Sequence, residues 1–244
     1  MTTIREFVDS SVQPGVRGFL HTPERPNGQG LVLTHGAGGN AQAPLLRALA
    51  EVFTHAGFTV LRCDLPFRQT RSFGPPGPVD GACDRAGLKS AITAIRQLIG
   101  ASLLPEFGRS GDLLGETRPG TVFLGGHSYG GRQASMLCAE EPDLAAGLLL
   151  LSYPLHPPRR PEQQRTQHLP DLRTATLFVH GTRDPFGSIE ELERAMKMIP
   201  ARARLLAIEG SSHDLGFRGK ARKEELPEQI RSEFAKVVRI LSTD

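Results

Sequence analysis

Cysteine is scarce in this 244-residue sequence, which holds only Cys63, Cys83 and Cys138. An odd number of cysteines at wide spacing forms neither a zinc-binding pattern nor a disulfide framework. Cys63 and Cys138 stand in apolar stretches, so we expect both to be small buried core residues. A chain of this length can bury a core without metal or disulfide staples, and we expect no metal and no organic cofactor.

Long apolar runs and a strong charge of one sign are also missing. No stretch approaches the roughly 18 residues needed to span a bilayer, and residues 1–11 lack the apolar segment of a signal peptide. The net charge is only +3, and no dense basic stripe with interleaved aromatic residues appears. We therefore expect a cytoplasmic protein whose partner is a small molecule, neither nucleic acid nor a membrane. The oligomeric state is left open.

Apolar runs and helical periodicities alternate along most of the chain. Two short strands are expected within residues 4–21, around a turn at residues 13–15. Further strands are predicted at residues 31–33, 59–62, 121–124, 147–151, 176–179 and 205–208, and helices at 43–55, 82–98, 132–139, 189–198 and 224–241.

This alternation predicts an α/β fold with one mainly parallel sheet and helices on both of its faces. The predicted strands are short and continuously apolar, as expected when both faces of a sheet are buried. No repeat and no long linker divides the chain, so residues 1–244 are expected to form a single domain. The proline-rich loops at residues 73–78 and 153–161 are too short to build a substantial cap domain.

The strongest motif is G-x-S-x-G at residues 126–130, which places Ser128 between an apolar strand and a helix. This context predicts a nucleophile elbow, a sharp strand-to-helix turn that exposes the serine hydroxyl. Side chains at positions 126 and 130 would collide with neighbouring backbone, hence the two glycines. The alternative is a tight turn with an incidental serine, but the strand-to-helix context favours a catalytic Ser128.

A serine nucleophile needs a histidine base, and the histidine needs a carboxylate to orient it. In chain order the acid precedes the histidine, and both follow the serine. His213 alone among the later histidines lies in a loop after the last predicted strand. Asp184 directly follows the strand at residues 176–179, whereas Asp143 and Asp171 follow no strand directly. The sequence therefore predicts a triad of Ser128, Asp184 and His213.

A glycine-rich turn at residues 36–39 follows the first parallel strand and allows backbone amides to approach a substrate carbonyl. We expect the oxyanion hole to consist of the amides of Ala37 and Tyr129. A phosphate-binding loop is the competing interpretation. It is disfavoured because neither a Walker sequence nor G-x-G-x-x-G spacing is present.

Together these residues resemble the α/β-hydrolase superfamily over nearly the whole chain. Residues 33–40, 62–68, 153–158 and 178–187 look like a narrower, dienelactone-hydrolase-like branch. That branch is related to the NSL complex regulatory subunit 3 and to testis-expressed hydrolase-like proteins. The resemblance implies the same triad and oxyanion amides. Dienelactone hydrolases usually carry a cysteine nucleophile, so the serine here does not imply a dienelactone substrate.

Arg68 and Arg71 follow the strand at residues 59–62, near the same predicted sheet edge. Arg68 is a candidate ligand for a substrate anion. The favoured alternative is a solvated loop arginine, or one paired with Asp64 or Asp80.

These predictions describe a serine hydrolase that cleaves a small ester or related acyl substrate through an acyl-enzyme. Two other functions stay open. One is a non-catalytic scaffold that acts as a protein-interaction subunit. The other is an acyltransferase that uses the same triad.

Overall fold

A computed structural model of the protein describes residues 2–103, 120–217 and 225–238. Eight strands and six α-helices lie within these ranges. The strands are β1 Thr3–Asp9, β2 Val16–Thr22, β3 Gly30–Thr34, β4 Thr59–Cys63, β5 Val122–His127, β6 Leu148–Leu151, β7 Thr176–Gly181 and β8 Ala203–Ile208. The helices are α1 Pro44–His55, α2 Pro66–Thr70, α3 Asp80–Leu103, α4 Tyr129–Glu140, α5 Ile189–Met196 and α6 Leu226–Val238.

All eight strands join one sheet in the order β1-β2-β4-β3-β5-β6-β7-β8. The first two strands form an antiparallel hairpin, and β2 also pairs antiparallel with β4. From β4 to β8 every neighbouring pair is parallel. The predicted mainly parallel sheet is therefore confirmed. The carboxyl ends of the parallel strands lie along one edge, where loops from distant parts of the chain meet.

Helices cover both faces of this sheet, as predicted. Helices α3, α4 and α5 pack on one face, with Leu88, Leu137 and Leu192 in its apolar layer. Helices α1 and α6 pack on the other, with Leu49 and Phe234 in that layer. The central strands are buried on both faces, which explains why their sequences are continuously apolar instead of alternating. Cys63 and Cys138 are buried in the core, as expected.

Element boundaries differ from the sequence-based prediction mainly around glycine and proline. Strand β5 continues to His127 because Gly125 and Gly126 keep their ladder pairing with β3 and β6. Helix α4 starts directly after Ser128 instead of at Arg132. Helix α2 was not predicted, since five residues are too few to reveal a periodicity. The ends of the predicted closing helix, at residue 224 and residues 239–241, lie outside the described residues.

A single domain without a separate cap agrees with the described part of the chain. The long β6–β7 connection contains only a short 3-10 turn, Leu169–Asp171. No helix in residues 2–103, 120–217 or 225–238 is both long enough and apolar enough to cross a membrane.

Candidate active site

Ser128 stands at the corner between β5 and α4 with positive backbone dihedral φ, 51°. This conformation is costly for a residue with a side chain, by about 1–3 kcal/mol, and persists only where the surroundings enforce it. A Cβ at Gly126 would lie 2.5 Å from the Gly131 nitrogen, and one at Gly130 would lie 2.4 Å from the His35 carbonyl oxygen. The two glycines thus allow the packing that holds Ser128 in its strained conformation.

Three side chains predicted from the sequence meet above this corner. The Oγ atom of Ser128 lies 2.8 Å from Nε2 of His213, and Nδ1 of His213 lies 2.8 Å from Oδ2 of Asp184. An ionised carboxylate only accepts hydrogen bonds, so Nδ1 of His213 donates to Asp184. In the neutral ring Nε2 is then the acceptor for the Ser128 hydroxyl. The ring is therefore placed to take a proton from that hydroxyl.

Asp184 is fixed by its own turn and by a close crossing of two loops. Its side chain is fully buried, and Oδ1 accepts a hydrogen bond from the Phe186 amide at 2.9 Å. Gly181, at the end of β7, lets the His213 loop approach, because a Cβ there would lie 2.3 Å from the Ser211 carbonyl oxygen. The amide of Arg183 donates to that same oxygen at 2.9 Å. The role of Gly181 was not predicted, since no local sequence pattern shows which loop crosses it.

Neighbouring rings hold the imidazole of His213 in place. The ring of Phe186 lies 4.3 Å from it between centroids. Nε2 of His127, the residue before the nucleophile, hydrogen-bonds the His213 carbonyl at 2.8 Å. His180 is buried, hydrogen-bonds the Gly187 carbonyl at 2.9 Å and lies 3.8 Å from the Asp184 carboxylate. Burial lowers the pKa of His180, so this residue is a neutral support for Asp184.

Ala37 and Tyr129 border Ser128 and present backbone amides there. In the described part of the chain, neither the Ala37 N–H nor the Tyr129 N–H donates a hydrogen bond to any acceptor. The Tyr129 amide opens α4, where the first N–H groups have no partner within the helix. Its ring is anchored, because the hydroxyl donates to Asp84 at 2.7 Å. Gly36 brings the loop close to the nucleophile, since a Cβ there would lie 3.2 Å from Cβ of Ser128.

Arg68 does not reach this cleft, which corrects its sequence-based interpretation as a substrate ligand. Its guanidinium is buried and donates to four backbone carbonyls, those of Ala37, Gly39, Arg71 and Gly74. The expected ion pair between one of these two loop arginines and Asp80 is present and is formed by Arg71. Arg68 therefore shapes the glycine-rich loop from behind, with its hydrogen-bonding capacity already used.

Ser128 borders two cavities. The first, here called the His213 cavity, has a volume of about 710 Å³ and is lined by His213, Leu45, Leu46 and Phe217 among others. The second, here called the Arg132 cavity, has a volume of about 910 Å³ and is lined by Tyr129, Arg132, Gln133 and Met136 among others. Ala37 and Phe186 line both. A substrate bound at Ser128 therefore has room on two sides.

The described residues hold no metal site and no second nucleophile among their buried thiols. No three histidine, cysteine, aspartate or glutamate side chains within those residues are placed to hold a metal ion. Burial raises the pKa of the thiols of Cys63 and Cys138 to about 12. Neither thiol is therefore a nucleophile at neutral pH.

A family model described as an alpha/beta hydrolase domain matches residues 27–241. Among solved structures, the chain is similar to a dienelactone hydrolase from Anabaena variabilis, with 22% identity, a TM-score of 0.68 and coverage of 96% of this chain and 97% of that chain. It is similar to an alpha-beta serine hydrolase homologue from Coxiella burnetii, with 16% identity, a TM-score of 0.67 and coverage of 96% and 99%. It also resembles a serine hydrolase without lid from Xanthomonas campestris, with 15% identity, a TM-score of 0.63 and coverage of 100% and 96%. The likeness extends over nearly the full length of each chain and is one of overall fold.

Proposed function

The chain belongs to the alpha/beta hydrolase domain family, and on that premise we propose that it is a serine hydrolase acting on a small ester or a related acyl substrate. The observation that carries the proposal is the unbroken line of hydrogen bonds from Ser128 through His213 to Asp184. This line lies beside the free amides of Ala37 and Tyr129.

In the proposed reaction, Nε2 of His213 takes the proton of the Ser128 hydroxyl while Oγ attacks the acyl carbonyl. The resulting oxyanion is bound by the amides of Ala37 and Tyr129, which need no rearrangement to donate. His213 then gives the proton to the leaving oxygen, and an acyl-enzyme remains on Ser128. Water, activated by the same histidine, hydrolyses it. Asp184 stays ionised and stabilises the imidazolium.

The names of two structural neighbours support the serine hydrolase class. One is described as an alpha-beta serine hydrolase homologue and another as a serine hydrolase without lid. The dienelactone hydrolase neighbour supports the broader branch predicted from the sequence. We further propose membership of the narrower group around the NSL complex regulatory subunit 3, together with a cytoplasmic location and a small-molecule partner, all on the sequence arguments given above.

The test is covalent labelling with a fluorophosphonate probe, combined with hydrolysis of p-nitrophenyl acetate, butyrate and octanoate. The wild type is compared with Ser128→Ala and with Ser72→Ala, which alters an exposed loop serine. We expect labelling and hydrolysis in the wild type and Ser72→Ala, and neither in Ser128→Ala. Absence of Ser128-dependent labelling in the folded protein would contradict the proposal and favour the scaffold. Adding an alcohol, amine or thiol acceptor separates transfer from hydrolysis, since an acyltransferase forms the acyl-acceptor product.

A further inference from the structure

Three arginines from separate elements line the Arg132 cavity. Arg85 comes from α3, Arg132 from the first turn of α4, and Arg165 from the long β6–β7 connection. All three are partly buried. Bringing like charges together beneath the surface costs free energy unless an anion offsets it, and the Glu140 carboxylate offsets Arg85 alone. Their convergence beside Ser128 therefore indicates a negatively charged ligand.

Two of these arginines, Arg132 and Arg165, have no carboxylate partner among the described residues. Nε of Arg132 is buried and has no hydrogen-bond partner. Among the described residues, neither Arg132 nor Arg165 forms an ion pair. Arg165 donates from one nitrogen to the Pro154 carbonyl at 3.2 Å. Arg85, by contrast, is held by Glu140 at 3.0 Å and by Gln133 at 3.0 Å. Arg132 also contacts the hydroxyl of buried Tyr153, but neither Arg132 nor Arg165 has a carboxylate partner, so these two guanidinium groups are the ones placed to bind an anion.

The electrostatics of the cavity are positive. No aspartate or glutamate is among its lining residues within the described chain. The carboxylate of nearby Asp84 accepts hydrogen bonds from the Tyr129 hydroxyl and the Phe67 amide. The pKa of His168 is lowered to about 4, first by burial and then by Arg132 and Arg85. Burial also lowers the pKa of Arg165, and Arg132 lowers it further. Because Arg132 contributes to lowering the pKa of both His168 and Arg165, its charge acts on both of these residues.

The two cavities offer room for the two halves of an ester, one on each side of Ser128. His213 must protonate the leaving oxygen, so the alcohol half lies on the side that His213 lines. That side is the His213 cavity, with Leu45, Leu46 and Phe217 in its wall. The acyl half then extends into the other cavity, past Tyr129 towards the arginines.

We propose that the acyl half of the substrate carries a second, ionised carboxylate that Arg132 and Arg165 bind. The substrate class is a monoester of a dicarboxylic acid with an apolar alcohol, an assignment that rests on the proposed serine hydrolase function. In the reaction the bond between the acyl carbon and the alcohol oxygen breaks, and that oxygen receives the Ser128 proton through His213. Water then splits the acyl-enzyme, giving the diacid and free Ser128. Guanidinium groups suit this role, since they bind carboxylates in bidentate geometry.

The experiment compares mono-p-nitrophenyl esters of glutarate, adipate and suberate with the same esters methylated on the distal carboxyl. The readout is the ratio of kcat/KM for the anionic ester to that for its neutral counterpart, after subtraction of spontaneous hydrolysis. We expect a ratio well above one for at least one chain length. Arg132→Gln and Arg165→Gln should each lower that ratio about tenfold, as expected for loss of one hydrogen-bonded charge pair. Arg204→Gln, which removes an exposed arginine on β8, should leave it unchanged.

The possible results separate the two proposals. Ser128-dependent hydrolysis of the neutral esters without any preference for the anionic ones overturns the carboxylate site and leaves the serine hydrolase intact. A preference that survives both arginine substitutions overturns the assignment to Arg132 and Arg165. No Ser128-dependent turnover of any ester overturns both proposals. If Arg132→Gln fails to fold, the effect of Arg165→Gln on the ratio of anionic to neutral ester hydrolysis is the deciding result. Arg165→Lys should recover part of that ratio, because lysine restores the positive charge.

Discussion

Replacing Asp184 by asparagine removes one charge from the site and changes little in volume. The aspartate accepts hydrogen bonds from Nδ1 of His213 at 2.8 Å and from the Phe186 amide at 2.9 Å. An asparagine can keep the bond to Phe186 through its carbonyl oxygen. Its NH2 group then faces His213, so Nδ1 becomes the acceptor and the ring proton moves to Nε2. In that tautomer Nε2 cannot take the proton of Ser128.

The expected loss follows from the geometry. The equivalent substitution in a serine protease triad lowers kcat about 10⁴-fold, or about 5 kcal/mol at about 1.36 kcal/mol per tenfold. Asp184 is fully buried, so no water takes over its role towards His213. We therefore expect Asp184→Asn to lower kcat/KM for p-nitrophenyl butyrate by about 10³- to 10⁴-fold, with KM changing little.

The assay measures steady-state hydrolysis and the rate of fluorophosphonate labelling, together with thermal unfolding to confirm that the variant is folded. Asp143→Asn is the matched control, because it makes the same chemical change at an exposed aspartate outside the site. It should keep wild-type activity. A folded Asp184→Asn protein that retains more than about a tenth of wild-type kcat/KM would refute the role of Asp184.

Three further outcomes are expected. Gly130→Ala should destabilise the fold by about 1–3 kcal/mol in urea unfolding, since the new Cβ would lie 2.4 Å from a backbone oxygen. Gly38→Ala is the control, because a Cβ there meets no atom within 4 Å, and it should change stability by under about 0.5 kcal/mol. Arg68→Ala should cost about 2–4 kcal/mol and lower the hydrolysis of anionic and neutral esters equally; a selective loss on anionic esters would restore its role as a substrate ligand. Burial, and then the charge of Arg62, lower the pKa of His21 to about 4 in the folded protein. Between pH 6.5 and pH 4 the unfolded chain therefore binds a proton that the folded chain does not. The free energy of unfolding should fall as the pH drops through this range. His21→Gln should flatten this slope in unfolding titrations, and an unchanged slope would contradict the assignment.

The sequence was sufficient to predict the features that depend on local pattern and chain order. Strand and helix periodicities predicted the alternation that builds the sheet, because each element has to bury an apolar face. The requirements for a serine, an acid and a histidine, in that chain order and each after a strand, identified Ser128, Asp184 and His213. The structure brings these three into one hydrogen-bonded line.

Side-chain destinations at the sheet edge could not be predicted, because they depend on which loops meet there. Arg68 was expected in the cleft or in solvent, yet it is buried against the loop that contains Ala37. Arg132 was expected only as the start of a helix, and its Nε is buried beside a cavity. Arg165, in a polar and proline-rich segment, reaches that same cavity. No local pattern relates these residues to one another.

Peptide mapping by mass spectrometry after fluorophosphonate treatment tests most directly whether Ser128 is the nucleophile, since it identifies the residue that reacts. We expect a single phosphonyl adduct, on the peptide that contains Ser128. An adduct on a different serine, for instance Ser152 or Ser211, whose buried hydroxyls have no hydrogen-bond partner, would contradict it. So would a folded protein that carries no adduct at all.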